Sequence, residues 1–123
     1  MPHCILETSD NLLDQPDGRG LLGEINRTLV ATGLFAEADI KSRLLRHDCH
    51  FVADGAPDRA FVTLDVQLLA GRTDEVKAQL SEALLQVLMG AFPRSIARMK
   101  CNLTVQISDL HRPSYRRHQS QPG

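Results

Sequence analysis

The sequence predicts an α+β fold in which two β–α–β units (each α/β-like) form one four-stranded sheet, with both helices on one face. Two observations predict it. Segments with alternating apolar residues and segments with apolar residues at helical spacing follow in the order strand, helix, strand, and this order occurs twice. The chain has 123 residues, enough for one hydrophobic core and too few for two. A right-handed crossover in each unit sets its two strands parallel.

The first unit begins at the start of the chain. Residues 2–7 predict a short strand, and residues 9–20, rich in Asp, Pro and Gly, predict a loop. Apolar residues at helical spacing predict a helix that begins at Leu21 and ends near Gly33. Residues 40–52 contain many apolar and β-branched positions and predict the second strand, with a less regular pattern.

The second unit has the clearer pattern. After a turn rich in Asp, Gly and Pro, residues 61–69 alternate strictly between apolar and polar and predict a strand. An apolar stripe along residues 76–91 predicts a helix, with Thr73 as its N-cap. Pro93 should end or kink that helix, because proline lacks the backbone N–H that a helix interior needs. Residues 101–108 alternate again and predict the last strand.

The pattern predicts a single domain over residues 1–110, followed by a polar, basic tail over residues 111–123 that should be mobile. With both helices on one face, the other face of the sheet has no cover of its own. Some strand residues on that face are apolar, so a second subunit should pack against it. The sequence therefore predicts a homo-oligomer.

Composition narrows the classes of function. Lys and Arg number 14 against 15 Asp and Glu, and only 4% of residues are aromatic, which argues against nucleic-acid binding. No apolar run approaches the length of a membrane span. The three cysteines are scattered and no secretory signal is recognisable, so we expect a cytoplasmic protein.

Two motifs resemble cofactor or metal sites. The glycines of residues 18–23 match G-x-G-x-x-G, but a dinucleotide site needs that turn directly after a strand, and here a long loop intervenes. The run 47–50 reads His-Asp-Cys-His, yet on a strand His47 and Cys49 face one side while His50 faces the other. We therefore expect neither an organic cofactor nor a metal.

Three cations lie where a ligand could meet them. Lys41 and Arg43 alternate on one face of the second strand. Arg72 follows the strand of residues 61–69, at a strand–helix junction of the kind where α/β folds often bind small ligands. Each of the three can equally be a solvated surface cation, and this alternative stays open.

Pro2 follows the initiator methionine, and a methionine before proline is commonly removed. Removal would make Pro2 the N-terminal residue and its nitrogen a secondary amine. An α-amino group has a pKa of about 8, and both burial and nearby cations lower that pKa. A neutral amine can take a proton from one atom and return it to another. The alternative is that Pro2 merely begins a strand, and position alone favours that interpretation.

From Pro2 to about His111 the sequence resembles the 5-carboxymethyl-2-hydroxymuconate Δ-isomerase family, which belongs to the tautomerase superfamily with an N-terminal proline. The order and spacing of short segments along nearly the whole chain carry this resemblance. The segments are Pro2-His3, Glu7, Ser9-Asp10-Asn11, Thr32-Gly33-Leu34-Phe35, Ser42-Arg43, Ala53-Asp54-Gly55, Ala60-Phe61-Val62, Ala70-Gly71-Arg72 and Asp109-Leu110-His111.

The resemblance implies a tautomerase-like homotrimer with active sites near subunit boundaries. It implies that Pro2 is the catalytic base and that no cofactor takes part. The implied substrate is a dienol with three carboxylates from homoprotocatechuate degradation, a branch of aromatic catabolism. Lys41, Arg43 and Arg72 would bind its carboxylates, and Arg43 and Arg72 match the family pattern.

Lys41 stands where the family pattern leads us to expect an arginine. A lysine keeps the charge and loses the planar fork that binds a carboxylate through two hydrogen bonds. Two further hypotheses therefore stay open. One is a tautomerase that acts on another small carboxylate, and the other is a trimeric binding protein that has the same fold without catalytic activity.

Overall fold

A computed structural model, which describes residues 1–122, contains a single four-stranded mixed sheet. The order of strands across the sheet is β2-β1-β3-β4, where β1 is His3–Ser9, β2 is Lys41–His47, β3 is Arg59–Leu69 and β4 is Lys100–Leu110. Strands β1 and β2 are parallel, as are β3 and β4, and the two pairs meet antiparallel at β1 and β3. The predicted pair of β–α–β units is confirmed.

Both long helices pack on one face of the sheet, as predicted. Helix α1 (Gly18–Ala31) and helix α2 (Asp74–Ala91) each bury three apolar residues at helical spacing. Against them β3 presents every second residue, fully buried. The buried residues from these elements are Leu21, Ile25 and Leu29, then Leu80, Leu84 and Leu88, and from the strand Ala60, Val62, Leu64, Val66 and Leu68. The core thus forms where the sequence alternates most strictly.

Helix α1 begins three residues earlier than predicted, so the prediction of a loop up to Gly20 was wrong at its end. The side chain of Asp17 accepts a hydrogen bond of 2.9 Å from the backbone N–H of Gly20. This N-cap satisfies one of the donors that a helix start leaves free. The glycines of the G-x-G-x-x-G run therefore lie in the first turns of α1.

Strand β2 ends at His47, five residues before the predicted end. A turn follows, with positive φ at Ala53 and Gly55. The sequence also gave no sign of helix α3 (Pro93–Arg98), which starts at the proline expected to stop α2. Proline suits a first helical position. The carboxylate of Asp14, from a distant loop, accepts hydrogen bonds from the first turn of α3.

The strand directions bring four chain segments together at each end of the sheet. At one end lie Pro2, Lys41 and the residues that follow β3 and β4, among them Arg72; we call this the Pro2 end. At the other lie the end of β2, the loop after β1 and the starts of β3 and β4; we call this the His47 end. The face without helices carries side chains that are mostly polar, and its apolar exceptions are Ile5, Leu45, Phe61, Leu69 and Leu110.

Among the described residues, no helix combines the length and the apolar character that crossing a membrane requires.

Candidate active site

A cleft of about 490 Å³, its open mouth included, lies at the Pro2 end. Its apolar wall comes from two segments, residues 34–36 after α1 and residues 68–69 at the end of β3. Its polar and charged lining comes from Met1, Asp39, Arg72 and Arg112. An apolar wall with a few charged groups is the usual make-up of a site for a small polar ligand.

Pro2 is fully buried beside this cleft. Its carbonyl accepts a hydrogen bond of 3.1 Å from the backbone N–H of Lys41, which extends the pairing of β1 with β2 by one residue. Met1, which is bonded to the Pro2 nitrogen, lines the cleft. Removal of Met1 would therefore leave the Pro2 nitrogen as a terminal amine that faces the space Met1 occupies.

The surroundings of the chain terminus disfavour a protonated amine. Burial lowers the pKa of the Met1 amine below its ordinary value of 8.0, and the nearby charge of Lys41 lowers it further. Asp39 acts in the opposite direction, and Arg117 adds to the lowering. The Met1 amine and the Lys41 ammonium both donate to the carbonyl oxygen of Asp39, over 3.2 Å and 3.0 Å.

Arg72 lies where the sequence predicted it, directly after β3, and lines the cleft. Its guanidinium lies 5.1 Å from the ring centre of Phe35 and donates a 3.2 Å hydrogen bond to the carbonyl of Leu34. Among residues 1–122, no carboxylate forms an ion pair with it. Its positive charge is thus fixed in direction and remains available to an anion.

Lys41 and Arg43 share one face of β2, as the alternation predicted, and oppose His3 and Ile5 of β1 in register. Lys41 reaches the Pro2 end. Arg43 does not line the cleft and donates a 3.0 Å hydrogen bond to Nδ1 of His3. An arginine has no acceptor, so Nδ1 of His3 carries no proton. Burial, with Arg43 next, lowers the pKa of His3.

The structure thus places Pro2, Lys41 and Arg72 at one end of the sheet, although Lys41, like Arg43, does not line the cleft. Arg43 lies further along the open face of the sheet. Sequence reasoning missed Phe35, Asp39 and Arg112 as parts of the cleft. Arg112 was assigned to the tail, although its Nε donates a 2.5 Å hydrogen bond to the Ala70 carbonyl. No local pattern indicates this contact, because it joins residues that are 42 positions apart.

Comparison with known proteins agrees with this arrangement. The sequence matches the family model of 5-carboxymethyl-2-hydroxymuconate isomerase over residues 2–121. It is 37% identical to the 5-carboxymethyl-2-hydroxymuconate Delta-isomerase of Escherichia coli over 111 residues. These residues make up 90% of this chain and 88% of that protein.

Solved structures show the same fold. The crystal structure of a 5-carboxymethyl-2-hydroxymuconate isomerase from Deinococcus radiodurans R1 superposes with a TM-score of 0.89 at 33% identity, over 97% of this chain and 90% of that chain. A protein described as a fused 4-OT wild type symmetric trimer superposes with a TM-score of 0.69 at 21% identity, over 89% of this chain and 85% of that chain. The second similarity concerns the fold alone.

Proposed function

We propose, for a chain that belongs to the 5-carboxymethyl-2-hydroxymuconate isomerase family, that Pro2 is the catalytic base of an isomerase. The proposed reaction ketonises a conjugated 2-hydroxydienoate polycarboxylate such as 5-carboxymethyl-2-hydroxymuconate, in homoprotocatechuate degradation. One observation carries the proposal. A buried proline next to the chain terminus lies beside a cleft with cations, in surroundings that lower the pKa of an amine.

The proposed chemistry moves one proton and needs no net supply of protons or electrons. The neutral Pro2 amine takes the proton of the substrate hydroxyl. The electrons of the broken O–H bond form the carbonyl, the double bonds shift along the chain, and the protonated amine returns the proton to a carbon. An amine whose pKa lies near the working pH suits both transfers. The removal of Met1 is a precondition, since an amide nitrogen cannot act as a base.

The cations take two further roles in this proposal. Arg72 presents a planar guanidinium to a carboxylate, and Phe35 and the Leu34 carbonyl hold it in position. Lys41 lies beside the chain terminus, where its charge helps to keep the amine neutral and stabilises negative charge on the reacting dienolate. Arg43 would bind substrate from the open face of the sheet.

We also propose that the chain assembles as a homotrimer. The face of the sheet without helices leaves Leu45 half exposed, and apolar surface there favours cover by another copy of the chain. Trimer formation would bring Arg43 of one subunit towards a neighbouring subunit. Light scattering should give three times the chain mass of 13.6 kDa.

We propose in addition that the protein is cytoplasmic. The cysteines Cys4, Cys49 and Cys101 are free, which supports this location.

An ultraviolet assay with 5-carboxymethyl-2-hydroxymuconate tests the catalytic role of Pro2. The dienol band should disappear with the native chain, and the rate should fall by about 100-fold or more in the Pro2→Ala variant. Intact mass of each sample reports whether Met1 has been removed, and circular dichroism reports whether the variant folds. A Pro2→Ala variant with native turnover would overturn the role of Pro2.

The same assay separates the alternatives. Activity with a monocarboxylate dienol in place of the tricarboxylate would favour a tautomerase of another small carboxylate, to which the lysine at position 41 points. No turnover of either substrate by a chain proven to begin at Pro2 would favour a binding protein with this fold.

A further inference from the structure

We propose that Arg112, from the segment after β4, forms a second carboxylate-binding subsite next to Arg72. The subsite would hold the carboxylate of the carboxymethyl arm, which lies remote from the reacting hydroxyl of the substrate. This inference rests on the proposed function, because it assigns a binding partner to one end of the same polycarboxylate. Two guanidiniums in one cleft match a ligand with several carboxylates better than one guanidinium does.

The backbone around Arg112 holds its guanidinium in place. The N–H of Ala70 donates to the carbonyl of Leu110 over 3.0 Å, so the ends of β3 and β4 stay paired up to the start of the segment. The Nε of Arg112 then donates to the Ala70 carbonyl over 2.5 Å. This bond uses one of the five N–H donors of the guanidinium. The terminal nitrogens remain for a ligand.

Arg112 lies against the link between β3 and Arg72. Gly71 there has a φ of +129°, and a Cβ on Gly71 would lie 3.7 Å from Nε and 3.8 Å from Nη2 of Arg112. The guanidinium therefore packs over the backbone of Gly71, one residue from Arg72. Both arginines line the same cleft, together with the apolar pair Leu68 and Leu69.

Arg72 and Arg112 have no partner anion among the described residues. Neither arginine takes part in an ion pair among residues 1–122. Asp39 also lines the cleft, and its carboxylate is bound to Arg117 over 3.1 Å. Arg72 and Arg112 are each held by a neutral backbone carbonyl. A bound carboxylate would relieve the repulsion between the two like charges.

The same segment supplies a control. Arg116 has the same charge and lies four residues further along, but it does not line the cleft. Its Nη1 donates to the carbonyls of Pro113 and Tyr115, at 2.9 Å and 3.0 Å. Loss of its charge changes the overall charge of the segment and leaves the cleft untouched.

The test measures KM for the tricarboxylate 5-carboxymethyl-2-hydroxymuconate and for the dicarboxylate 2-hydroxymuconate, which lacks the carboxymethyl arm. It uses the full chain and Arg112→Gln, Arg112→Lys and Arg116→Gln. Calorimetric binding of propane-1,2,3-tricarboxylate and of glutarate gives a readout that is independent of turnover. Arg112→Gln keeps an amide that can donate to the Ala70 carbonyl and removes the charge.

We expect Arg112→Gln to raise KM and Kd about 10-fold for the tricarboxylates and less than about twofold for the dicarboxylates. Arg112→Lys should recover most of the loss, and Arg116→Gln should leave all values near those of the native chain. Equal losses for both ligand classes, or equal losses in Arg112→Gln and Arg112→Lys, would show a merely structural role and overturn the subsite. Unchanged values in Arg112→Gln would overturn it as well.

These outcomes separate the subsite from the proposed reaction. Tricarboxylate binding that depends on Arg112, in a chain that does not turn over either dienol, would support the subsite and refute the proposed isomerisation. Turnover that depends on Pro2 and is indifferent to Arg112 would support the isomerisation and refute the subsite.

Discussion

The two ends of the sheet hold their charged side chains in different ways. At the His47 end, opposite charges or a histidine and a carboxylate lie in direct contact. The contacts are His47 with Glu7 at 2.9 Å, His50 with Asp10 at 2.9 Å and Arg59 with Asp54 at 2.7 Å. The Pro2 end also holds an ion pair, Arg117 with Asp39 at 3.1 Å. Its cations Lys41, Arg72 and Arg112 are instead bound to backbone carbonyls.

This difference matters for what each end can bind. A carboxylate partner cancels the charge of a cation, whereas a backbone carbonyl fixes the position of the cation and carries no net charge. The cations at the Pro2 end therefore keep most of their attraction for an anionic ligand. The pairs at the His47 end already satisfy one another, and we assign them a contribution to local structure.

Blocking the chain terminus should have the largest effect at the Pro2 end. A chain with one additional residue retained before Pro2 keeps every side chain of the cleft and turns the Pro2 amine into an amide. We expect at least a 100-fold loss of dienol turnover, on the order of a lost general base. The rate is measured against the same chain after the extra residue has been cleaved off. Equal rates before and after cleavage would contradict a terminal amine as the base.

The next largest effect should come from Arg72. Hydrogen bonds to a charged group contribute about 1.5–3 kcal/mol, so Arg72→Ala should lower kcat/KM for the tricarboxylate by about 10- to 100-fold. Arg59→Ala, at the His47 end, removes an arginine that is already paired with Asp54 and serves as the control. Steady-state kinetics of both variants checks the contrast, and similar losses in the two variants would abolish the distinction between the ends.

The dependence of kcat/KM on pH tests the proposed role of Lys41. Burial and the charge of Lys41 lower the pKa of the Met1 amine, and we expect them to act in the same direction on the Pro2 amine that takes its place. The Pro2 amine is neutral above its pKa, so activity should fall as the pH drops through it. Lys41→Gln removes a charge that lowers this pKa. The acid limb of kcat/KM should then move to higher pH, with a loss at pH 6 about 2- to 5-fold greater than at pH 8.

Asp39→Asn should shift the pKa of the amine in the direction opposite to Lys41→Gln. Asp39 raises the pKa of the Met1 amine, and we expect the same effect on the Pro2 amine, so neutralisation of Asp39 should move the acid limb to lower pH. A shift of both variants in the same direction would show that the amine does not respond to the charges around it.

The smallest effect should come from the His47 end. The side chains of Glu7 and His47 are 38% and 39% exposed. Exposed pairs of this kind contribute about 0–1 kcal/mol, so Glu7→Gln should change the free energy of unfolding by no more than about 1 kcal/mol. Turnover should stay within about twofold of the native rate. Urea denaturation and the dienol assay measure both quantities, and a large loss of turnover would give the His47 end a role in the reaction.

Local pattern predicted the order of the elements well where polarity alternates strictly, as along residues 61–69, since burial on one face imposes that period. The start of α1 and the helix at Pro93 escaped prediction. The first depends on whether Asp17 caps the helix, and the second on Asp14, some 80 residues away in sequence. A hydrogen bond between distant residues, such as that of Asp14, leaves no periodic signal. The cap by Asp17 is local, and an aspartate before a helix start is a signal that the sequence does carry.

The candidate site also contains residues that the sequence predicts and residues that only the fold brings together. The sequence by itself determined the two β–α–β units and the candidates Pro2, Lys41, Arg43 and Arg72, because each follows from a periodicity, from an element end or from the resemblance to a family.

Only the tertiary structure decided that Lys41 and Arg72 lie at one end of the sheet, while Arg43 lies two residues further along the face that carries Lys41 and is bonded to His3. It alone brought Arg112 out of the predicted tail and into the cleft. The physical reason is the antiparallel meeting of β1 and β3. It sets the starts of two strands beside the ends of two others, so that residues from positions 2, 41, 72 and 112 converge.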